Sequence, residues 1–205
     1  MKGKFITIEG SEGVGKTTNI NFIVDYLTKH NRRMIETREP GGTAAAEEIR
    51  NILLNSNGEL IPDIAELLLF FAARSLHLEN VILPALVAGK FVICDRFTDA
   101  TIAYQGYGRG FDIERINNIA QWVHADIQPD LTILLDAPAE IGMQRAKKRG
   151  AIDRMESEEI SFYERVREGY LQLAEQYNDR FVVIDANQSL DLVQKAIMTH
   201  LEDLI

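Results

Sequence analysis

Cysteine is almost absent from this sequence of 205 residues, which contains only Cys94. A single cysteine excludes an internal disulfide framework, and its place in the apolar run 91–94 indicates a core residue, not a nucleophile. Long uncharged apolar runs are missing too, since the longest, such as 67–73, are too short to span a membrane. The N-terminus runs straight into an apolar segment that meets Glu9, which does not fit a signal peptide. These absences predict a soluble, cytoplasmic protein with no membrane partner.

Positive charge is also scarce: 22 lysines and arginines stand against 31 aspartates and glutamates, a formal net charge of −9. This balance argues against nucleic acid as the main partner, although it does not exclude a small anionic substrate. One local basic cluster stands out against the acidic background. Its members are Arg145, Lys147, Lys148, Arg149 and Arg154. The cluster could close over phosphates as a lid, which we favour, or form a solvated charged face.

The most informative stretch is 10–17, GSEGVGKT, which matches the phosphate-binding loop pattern G-x-x-x-x-G-K-[ST]. An apolar, β-branched run at 5–8 precedes it, and a helical pattern over 17–29 follows. Glycines let consecutive N–H groups point at one spot, and the helix N-terminus adds partial positive charge there. Lys16 is expected to reach the β- and γ-phosphates, and the Thr17 hydroxyl to hold Mg²⁺. The loop therefore predicts binding of a nucleoside triphosphate.

Further short apolar runs alternate with helical patterns, which predicts an α/β fold with a parallel sheet covered on both faces. These runs are 34–35, 91–94, 131–135 and 181–184. An aspartate follows three of them, namely Asp95, Asp136 and Asp185. Ligands of such sheets bind beyond the carboxyl ends of the strands, so these ends are candidate site positions. No repeat or linker divides the chain, and we predict a single domain over 1–205.

Local signals also predict several helix boundaries. Pro84 lies inside an apolar run and is expected to kink or interrupt it, and Gly89 is expected to end it. The segment 161–164 has the pattern of a capping box and is expected to begin a long helix that runs to Tyr177. Ser189 can cap a final amphipathic helix.

Two arginines near strand ends are candidates for binding phosphate. Arg38 lies in the glycine-rich stretch 37–43 after the second strand, and an ion pair with Glu39 or another neighbour is an equally good interpretation. Asp95 and Arg96 end the third strand, where a carboxylate can reach magnesium and an arginine can clamp a phosphate. A structural Asp–Arg pair is the alternative, which the nearby phosphate loop makes less favoured.

Two further features could read a nucleobase. Phe70 and Arg74 are four residues apart in a helical pattern, so a ring could stack on a base while the arginine contacts its edge. A core phenylalanine beside a surface arginine is the more common outcome of such spacing. Gln105 lies in the glycine-rich stretch 103–110 and carries both a donor and an acceptor, which suits a base edge. A surface glutamine in a solvated loop is the alternative.

Together these motifs resemble the bacterial thymidylate kinases over the whole chain. The matching segments are 10–18, TREPGG at 37–42, Phe70 with Arg74, Asp95 with Arg96, YQG at 104–106, and Asp153 with Arg154. The phosphate loop is widespread, whereas TREPGG and YQG in this order and spacing are more specific. The resemblance implies a P-loop NTPase-like three-layer sandwich: a five-stranded parallel sheet of order 2-3-1-4-5 flanked by helices, with a basic lid at about 142–155.

The resemblance implies phosphoryl transfer from ATP to dTMP, giving dTDP and ADP for dTTP synthesis, with Mg²⁺ as cofactor and a homodimer as the assembly. It assigns ATP binding to the phosphate loop: Gly10, Ser11, Glu12, Gly13, Val14, Gly15, Lys16, Thr17 and Thr18. It assigns dTMP binding to Glu12, Arg38, Arg50, Phe70, Arg74, Arg96, Thr101, Tyr104 and Gln105. It makes Thr17 and Asp95 the metal ligands, and Lys16, Arg96, Arg149 and Arg154 the catalytic residues.

Within that assignment, Phe70 stacks on thymine, Arg74 and Gln105 read its edge, and the arginines 38 and 96 hold the monophosphate. Glu12 contacts the 3′-hydroxyl and Tyr104 crowds the 2′ position. Some members of the family place a catalytic basic residue where this chain has Gly13. The chain resembles the subgroup whose lid supplies that arginine, and Arg149 is our candidate.

Other classes of nucleotide-binding protein would be expected to carry different sequence motifs. A GTPase would carry N-K-x-D and D-x-x-G, and a motor-type ATPase would usually end a strand in Asp-Glu; the sequence contains none of these. Another P-loop nucleoside or nucleoside monophosphate kinase is the main alternative, although a nucleoside kinase does not need Arg38 and Arg96 at an acceptor phosphate. A non-catalytic nucleotide-sensing module is the other alternative, which the intact Lys16 and lid arginines disfavour.

Overall fold

The computed structural model describes residues 3–55, 60–149 and 158–205, with only the backbone of Arg149. Its centre is a parallel sheet of five strands in the order β2-β3-β1-β4-β5, as predicted. The strands are β1 Phe5–Glu9, β2 Met34–Arg38, β3 Phe91–Asp95, β4 Leu131–Asp136 and β5 Phe181–Asp185. β3 pairs with β1 and β2 in a register that sets Asp95 beside Ile8 and Arg38, so the strand ends meet at one edge.

Helices fill the connections between the strands. They are α1 Lys16–Lys29, α2 Ala44–Leu54, α3 Asp63–His77, α4 Leu83–Val87, α5 Thr98–Thr101, α6 Ile113–His124, α7 Ala139–Arg149, α8 Ile160–Gln176 and α9 Leu190–Glu202. Two π-helical segments, Leu78–Ile82 and Ile102–Gly108, follow α3 and α5 directly. Because parallel strands need crossovers, each strand is joined to the next one along the chain through helices, which gives the α/β class that the alternating pattern predicted.

Two apolar layers hold the helices on the sheet. On one face, Ile23 and Leu27 of α1 and Ile197 of α9 pack with the inward residues of β1 and β4. On the other, Val166 and Tyr170 of α8 pack with residues from α3, α6 and the second π segment. These layers produce the predicted three-layer sandwich. The prediction of one domain over 1–205 stays a prediction.

The helix boundaries correct several local expectations. The chain passes Pro84 without a break: the wider π-helical segment Leu78–Ile82 precedes it, and α4 continues to Val87. Gly89, with φ of 70°, follows the end of that helix as expected. The capping box was wrong, because α8 begins at Ile160 and Glu159 occupies the cap position without a side-chain bond. Ser189 does precede α9, but its side chain makes no capping bond.

The continuous helical run Asp63–Val87 corrects the expectation about apolar length. It has 25 residues and a mean hydropathy of 1.3 over its most apolar window, enough to cross a membrane by length and composition. Ionisable residues divide this helical run into shorter uncharged segments, so the uncharged segments alone did not indicate its length. Three of these ionisable residues, Glu66, Arg74 and His77, are buried within the protein, where they make hydrogen bonds to other elements.

Candidate active site

A cavity of about 340 Å³ opens at the carboxyl ends of β1, β2 and β3. Most of the predicted site residues line it, although they come from distant parts of the sequence. These are Glu12, Gly13, Gly15, Lys16, Thr17, Arg38, Arg50, Phe70, Arg74, Asp95, Arg96, Thr101, Tyr104 and Gln105. The predicted residues Gly10, Ser11, Val14 and Thr18 belong to the same loop and to α1 but do not line the cavity.

The phosphate loop connects β1 to α1, and Gly15 caps the helix in a left-handed conformation with φ of 95°. Lys16, the first residue of α1, folds back so that its Nζ donates to the carbonyls of Gly10 at 3.2 Å and Ser11 at 2.8 Å. Burial, followed by the nearby Arg96 charge, lowers the pKa of Lys16. The Lys16 ammonium group is therefore held by backbone carbonyls of the loop. An anion that entered the loop could take the place of these carbonyls as the hydrogen-bond partner of Lys16.

Close contact between the phosphate loop and α7 explains why residue 13 is glycine. A Cβ on Gly13 would lie 2.0 Å from the carbonyl oxygen of Gly142, and φ at Gly13 is 71°. A Cβ on Gly142 would in turn lie 2.4 Å from the Glu12 carbonyl oxygen. No basic side chain can occupy position 13 without moving α7. The same contact anchors the helix that leads to the basic cluster.

Glu12, Arg96 and Tyr104 form one hydrogen-bonded group across the cavity. The Arg96 guanidinium donates to Glu12 Oε1 and, at 2.8 Å, to the Tyr104 hydroxyl, which itself donates to Glu12 at 3.2 Å. Burial would raise the pKa of Glu12, but the charges of Arg96 and Lys16 outweigh it and lower that pKa to about 2. Arg96 has φ of 71°, a conformation that costs a non-glycine residue about 1–3 kcal/mol and is typical of functional sites.

The other phosphate-site candidates are bonded to nearby residues. Arg38 donates to Glu47 Oε2 at 2.9 Å, and its side chain is 54% exposed. Its ion pair is therefore with Glu47 of α2, not with Glu39. Arg50 donates to the Pro40 carbonyl at 2.8 Å. Both arginines line the cavity, so their bonds leave them beside the space that a ligand would enter.

Arg74 is not the surface residue that its spacing suggested, since it is 2% exposed. Its Nε donates to Glu39 Oε2 at 2.7 Å, and its Nη2 donates to the Phe97 carbonyl and to Thr101 Oγ1. Its Nη1 is buried without a partner among the residues that the structure describes. Phe70, partly buried one turn earlier on α3, lines the same cavity. This end of the cavity thus combines an aromatic ring with a guanidinium group whose Nη1 donor has no partner among the described residues.

Gln105 is also buried, at 1% exposure, so the alternative of a surface glutamine was wrong. It lies in the π-helical segment Ile102–Gly108 and lines the cavity close to the Arg74 end. Its Nε2 donates to Glu66 Oε1 at 2.9 Å. The glycine-rich sequence around it predicted a loop, whereas tight packing on α8 makes the segment helical.

Three buried glutamates around this site, Glu9, Glu39 and Glu66, were not predicted. Glu39 joins Arg74 to His77, whose Nδ1 lies 2.9 Å from Glu39 Oε1. The sequence signal for Glu39 was its place in TREPGG, directly after Arg38. Glu9 ends β1, accepts from the Phe97 N–H and from the Tyr170 hydroxyl, and burial together with Asp99 raises its pKa to about 8. A charged residue ending a buried strand was the available signal for Glu9.

The three strand-end aspartates have different surroundings. Asp136 forms a bidentate ion pair with Arg167 at 2.7 and 2.8 Å, and Asp185 accepts from the Asn187 N–H, so both are structural. Asp95 differs because its Oδ1 is buried without a partner and it lines the cavity together with Thr17. Within 3–55, 60–149 and 158–205, no group of three or more His, Cys, Asp or Glu side chains could hold a metal alone. Only Asp95 and Thr17 remain as candidate metal ligands here.

The predicted lid, 142–155, lies only partly within the described residues. Helix α7 ends at Arg149, and Arg145 on its second half donates to the Ala186 carbonyl at 3.1 Å. The predicted catalytic Arg154 lies outside the described residues, as does the side chain of Arg149. Lys147 and Lys148 are exposed. The contact of Gly142 with the phosphate loop nevertheless places the start of this basic helix against the site.

Comparison with known proteins gives a consistent result. The family profile described as thymidylate kinase matches residues 8–197. The thymidylate kinase of Methylococcus capsulatus is 51% identical over 99% of this chain and 97% of its own length, and that of Hahella chejuensis is 52% identical over 96% and 94%. The crystal structure of thymidylate kinase from Ehrlichia chaffeensis superposes with a TM-score of 0.79, at 35% identity over 98% of this chain and 99% of that one. This chain therefore belongs to the thymidylate kinase family.

Proposed function

We propose that this protein transfers the γ-phosphoryl group of ATP to dTMP, giving dTDP and ADP for dTTP synthesis. The observation that carries the proposal is one cavity that joins a phosphate loop to a buried base-reading end. Lys16 and Arg96 line one part of it, and Phe70, Arg74 and Gln105 line another. A nucleotide-sensing module would need only the first part. A kinase for adenine monophosphates would need a different pattern of donors and acceptors from Arg74 and Gln105, because adenine places an acceptor beside an amino donor where thymine has the reverse.

For ATP, we propose that residues 10–18 wrap the phosphates with their N–H groups and that Lys16 exchanges its two carbonyl partners for phosphate oxygens. The left-handed Gly15 and the N-terminus of α1 direct backbone N–H groups to one point. The lysine is already buried at this point, so its charge acts in a medium where it is poorly screened.

For dTMP, we propose that Phe70 stacks on the thymine ring while Arg74 and Gln105 contact its edge and Thr101 supports Arg74. Arg38 and Arg96 hold the monophosphate, with Arg50 beside them. Arg50 and Arg96 have partners on the cavity wall, Pro40 and Glu12, whereas Arg38 is paired with Glu47 outside it; in each case phosphate can take the place of a carboxylate or carbonyl.

For the sugar, Glu12 accepts from the 3′-hydroxyl and Tyr104 excludes a 2′-hydroxyl. The Tyr104 ring lies under Arg96, with the guanidinium carbon 5.1 Å from its centroid, and it packs edge-on against Phe162 and Tyr170. A ring fixed on three sides cannot move aside for an extra oxygen, which supports a steric basis for sugar choice.

Magnesium is the cofactor that this chemistry requires, and the residues present fit it. The unpartnered Oδ1 of Asp95 and the exposed hydroxyl of Thr17 would hold the ion. When bound, it would neutralise charge on the ATP phosphates and so help to stabilise the transferring phosphoryl group.

Catalysis then rests on positioning and charge. Lys16 and Arg96 neutralise the two phosphates that must be brought in line, and the lid, 142–155, supplies further cations, with Arg149 first and Arg154 second. The absence of space for a side chain at Gly13 supports this assignment to the lid. From Gly142 to Arg149 is seven residues, or about 10 Å along a helix, a length that suits an arginine at the far side of the γ-phosphate.

We also propose that the protein works in the cytoplasm as a homodimer, without a nucleic-acid or membrane partner. Exposed apolar side chains on α3 and α6 support a protein partner: Ile64 and Leu68 are about half exposed, and Trp122 is 91% exposed. Helices α3 and α6 also pack against each other, so these residues belong to neighbouring elements.

The decisive experiment is an assay of ADP release from ATP and Mg²⁺ across dTMP, dUMP, dCMP, dAMP, dGMP and AMP. We expect kcat/KM to be highest for dTMP. The adenine nucleotides and dCMP should be slowest, because their base edges place an acceptor and a donor where thymine has the reverse. Faster turnover of another monophosphate, or ADP release that no monophosphate stimulates, would overturn the proposal.

A further inference from the structure

The NH₂ group of the Gln105 side-chain amide is hydrogen-bonded to a buried carboxylate. Its Nε2 donates to Glu66 Oε1 at 2.9 Å, and Glu66 itself is fully buried on α3. Gln105 is 1% exposed, so its side chain has little freedom to turn. No described residue is seen to donate to its Oε1. The contact with Glu66 therefore decides which atom of the amide remains for a ligand.

Glu66 is kept as an acceptor by Arg109. The Arg109 Nε donates to Glu66 Oε1 at 2.7 Å and its Nη2 donates to Oε2 at 3.2 Å, while its Nη1 pairs with Glu158 at 3.0 Å. A carboxylate in such an ion pair offers lone pairs only. If the Gln105 amide turned over, two oxygens would face each other in a dry environment, which is strongly unfavourable.

The base-reading end consequently has a fixed polarity. Gln105 offers an acceptor, its Oε1, and Arg74 offers a donor, its unpartnered Nη1. Thymine and uracil present an N3–H donor beside an O4 acceptor, which complements this pair. Cytosine presents the reverse, an N3 acceptor beside an amino donor, so each of its groups would meet a like partner.

We propose that Glu66, which does not touch the base, determines base choice by fixing the orientation of the Gln105 amide. This inference rests on the proposed phosphorylation of dTMP and goes beyond it. Glu66 acts as a positioning residue, with Arg109 holding it in the accepting state. The chemical distinction that it enforces is between bases with a protonated N3, such as thymine and uracil, and those with an unprotonated N3, such as cytosine.

The test compares dTMP with 5-methyl-dCMP, which keeps the sugar, phosphate and methyl group and reverses only the base edge. In Glu66→Gln the new amide can accept from or donate to Gln105, so the Gln105 amide can adopt both orientations. We expect the ratio of kcat/KM for dTMP to that for 5-methyl-dCMP to fall about tenfold, through loss of one hydrogen-bond mismatch. Glu158→Gln is the matched control: it also removes a carboxylate from Arg109 but leaves the Gln105 contact intact, so the ratio should not change.

A double-mutant cycle separates this role from a general structural one. In a Gln105→Met background there is no amide to orient, so Glu66→Gln should leave the ratio unchanged. A purely structural role would lower kcat/KM for both nucleotides equally and leave the ratio at its wild-type value, which would overturn the inference. Absence of dTMP phosphorylation in the wild type is a different outcome, because it rejects the proposed function itself.

A measurement on the wild type keeps the inference testable even if Glu66→Gln does not fold. The side-chain amide protons of Gln105 can be assigned by NMR through their loss in Gln105→Met. Bonded to buried Glu66, they should be protected from exchange both without nucleotide and with dTMP bound. Protection that appears only when dTMP is bound would show that the protons face the base, and would contradict the proposal.

Discussion

The two ends of the cavity are built differently. At the base end, Arg74 and Gln105 are 2% and 1% exposed and are bonded to the buried carboxylates of Glu39 and Glu66. At the proposed phosphate end, Arg38 is 54% exposed and Arg96 is 21% exposed, and their carboxylate partners, Glu47 and Glu12, are 38% and 15% exposed. The base end thus holds its groups in place before any ligand arrives, whereas the phosphate end holds cations on partners that can be exchanged.

This difference suits what we propose that each end recognises. A neutral base offers only a few hydrogen bonds, so selectivity requires donors and acceptors that cannot reorient. A phosphate attracts cations over a longer range, so an arginine such as Arg38 can rest on an exposed ion pair until the phosphate arrives. Changes at the base end should therefore affect stability and selectivity together, and changes at the phosphate end should affect turnover with little effect on stability.

The strongest test of the phosphate end is Lys16→Met. The substitution removes the charge but keeps most of the side chain, so we expect kcat to fall about a thousandfold or more with little change in the melting temperature. Lys29→Met, at the exposed end of the same helix, is the matched control and should behave as wild type. Near-normal turnover of Lys16→Met would remove the lysine from the mechanism.

The sharpest contrast between the ends is Arg74→Met against Arg38→Met. The first leaves Glu39 buried with a lost partner and should reduce the free energy of unfolding by about 3 kcal/mol. The second breaks an exposed pair and should cost less than about 1 kcal/mol, while raising KM for dTMP. Chemical denaturation of both variants at one pH measures this difference. Equal losses of stability would mean that the two ends are not built differently.

Arg149→Ala tests the part of the phosphate end that the lid supplies. Removing one cation that acts in the transition state should lower kcat about a hundredfold and raise KM for dTMP far less. Arg115→Ala, at an exposed arginine on α6 outside the lid, serves as the control. If kcat of Arg149→Ala is unchanged, the role passes to Arg154 or Lys148.

Tyr104 lies between the two ends, and its substitutions should have the smallest effect. Tyr104→Ala should reduce the preference for dTMP over ribothymidine monophosphate about tenfold, because the ring no longer excludes the 2′-hydroxyl. Tyr104→Phe keeps the ring and should keep the preference, although it removes the hydroxyl that bonds Arg96 and Glu12. If Tyr104→Ala leaves the ratio of kcat/KM values for the two substrates unchanged, Tyr104 is a packing residue only.

How far the sequence could predict this molecule depends on the kind of signal. The strands and the parallel α/β class were predictable because four of the five strands are short apolar runs, three of which end in an aspartate whose position the structure confirms; the strand order was implied only by the family resemblance. The phosphate loop was predictable because its glycines and lysine are required at fixed spacing. Both signals are local, and neither needs knowledge of distant contacts.

The polar contacts of the base end could not be predicted in this way. Glu39 and Glu66 bond to Arg74 and Gln105, which are 35 and 39 residues away in the chain. A lone glutamate in a helical pattern indicates an exposed face, and nothing local distinguishes Glu66 from Glu79. The burial of Arg74 was missed for the same reason, because its compensating partners are Glu39, after β2, and two residues of the segment 97–101.

A crystal structure with dTMP bound tests the difference between the two ends most directly. We expect Arg38 to leave Glu47 and Arg96 to leave Glu12 for the phosphate, while Arg74 stays on Glu39 and Gln105 stays on Glu66 with its Oε1 facing the base. A complex in which Arg74 or Gln105 abandons its carboxylate, or in which the arginines 38 and 96 keep theirs, would contradict the account.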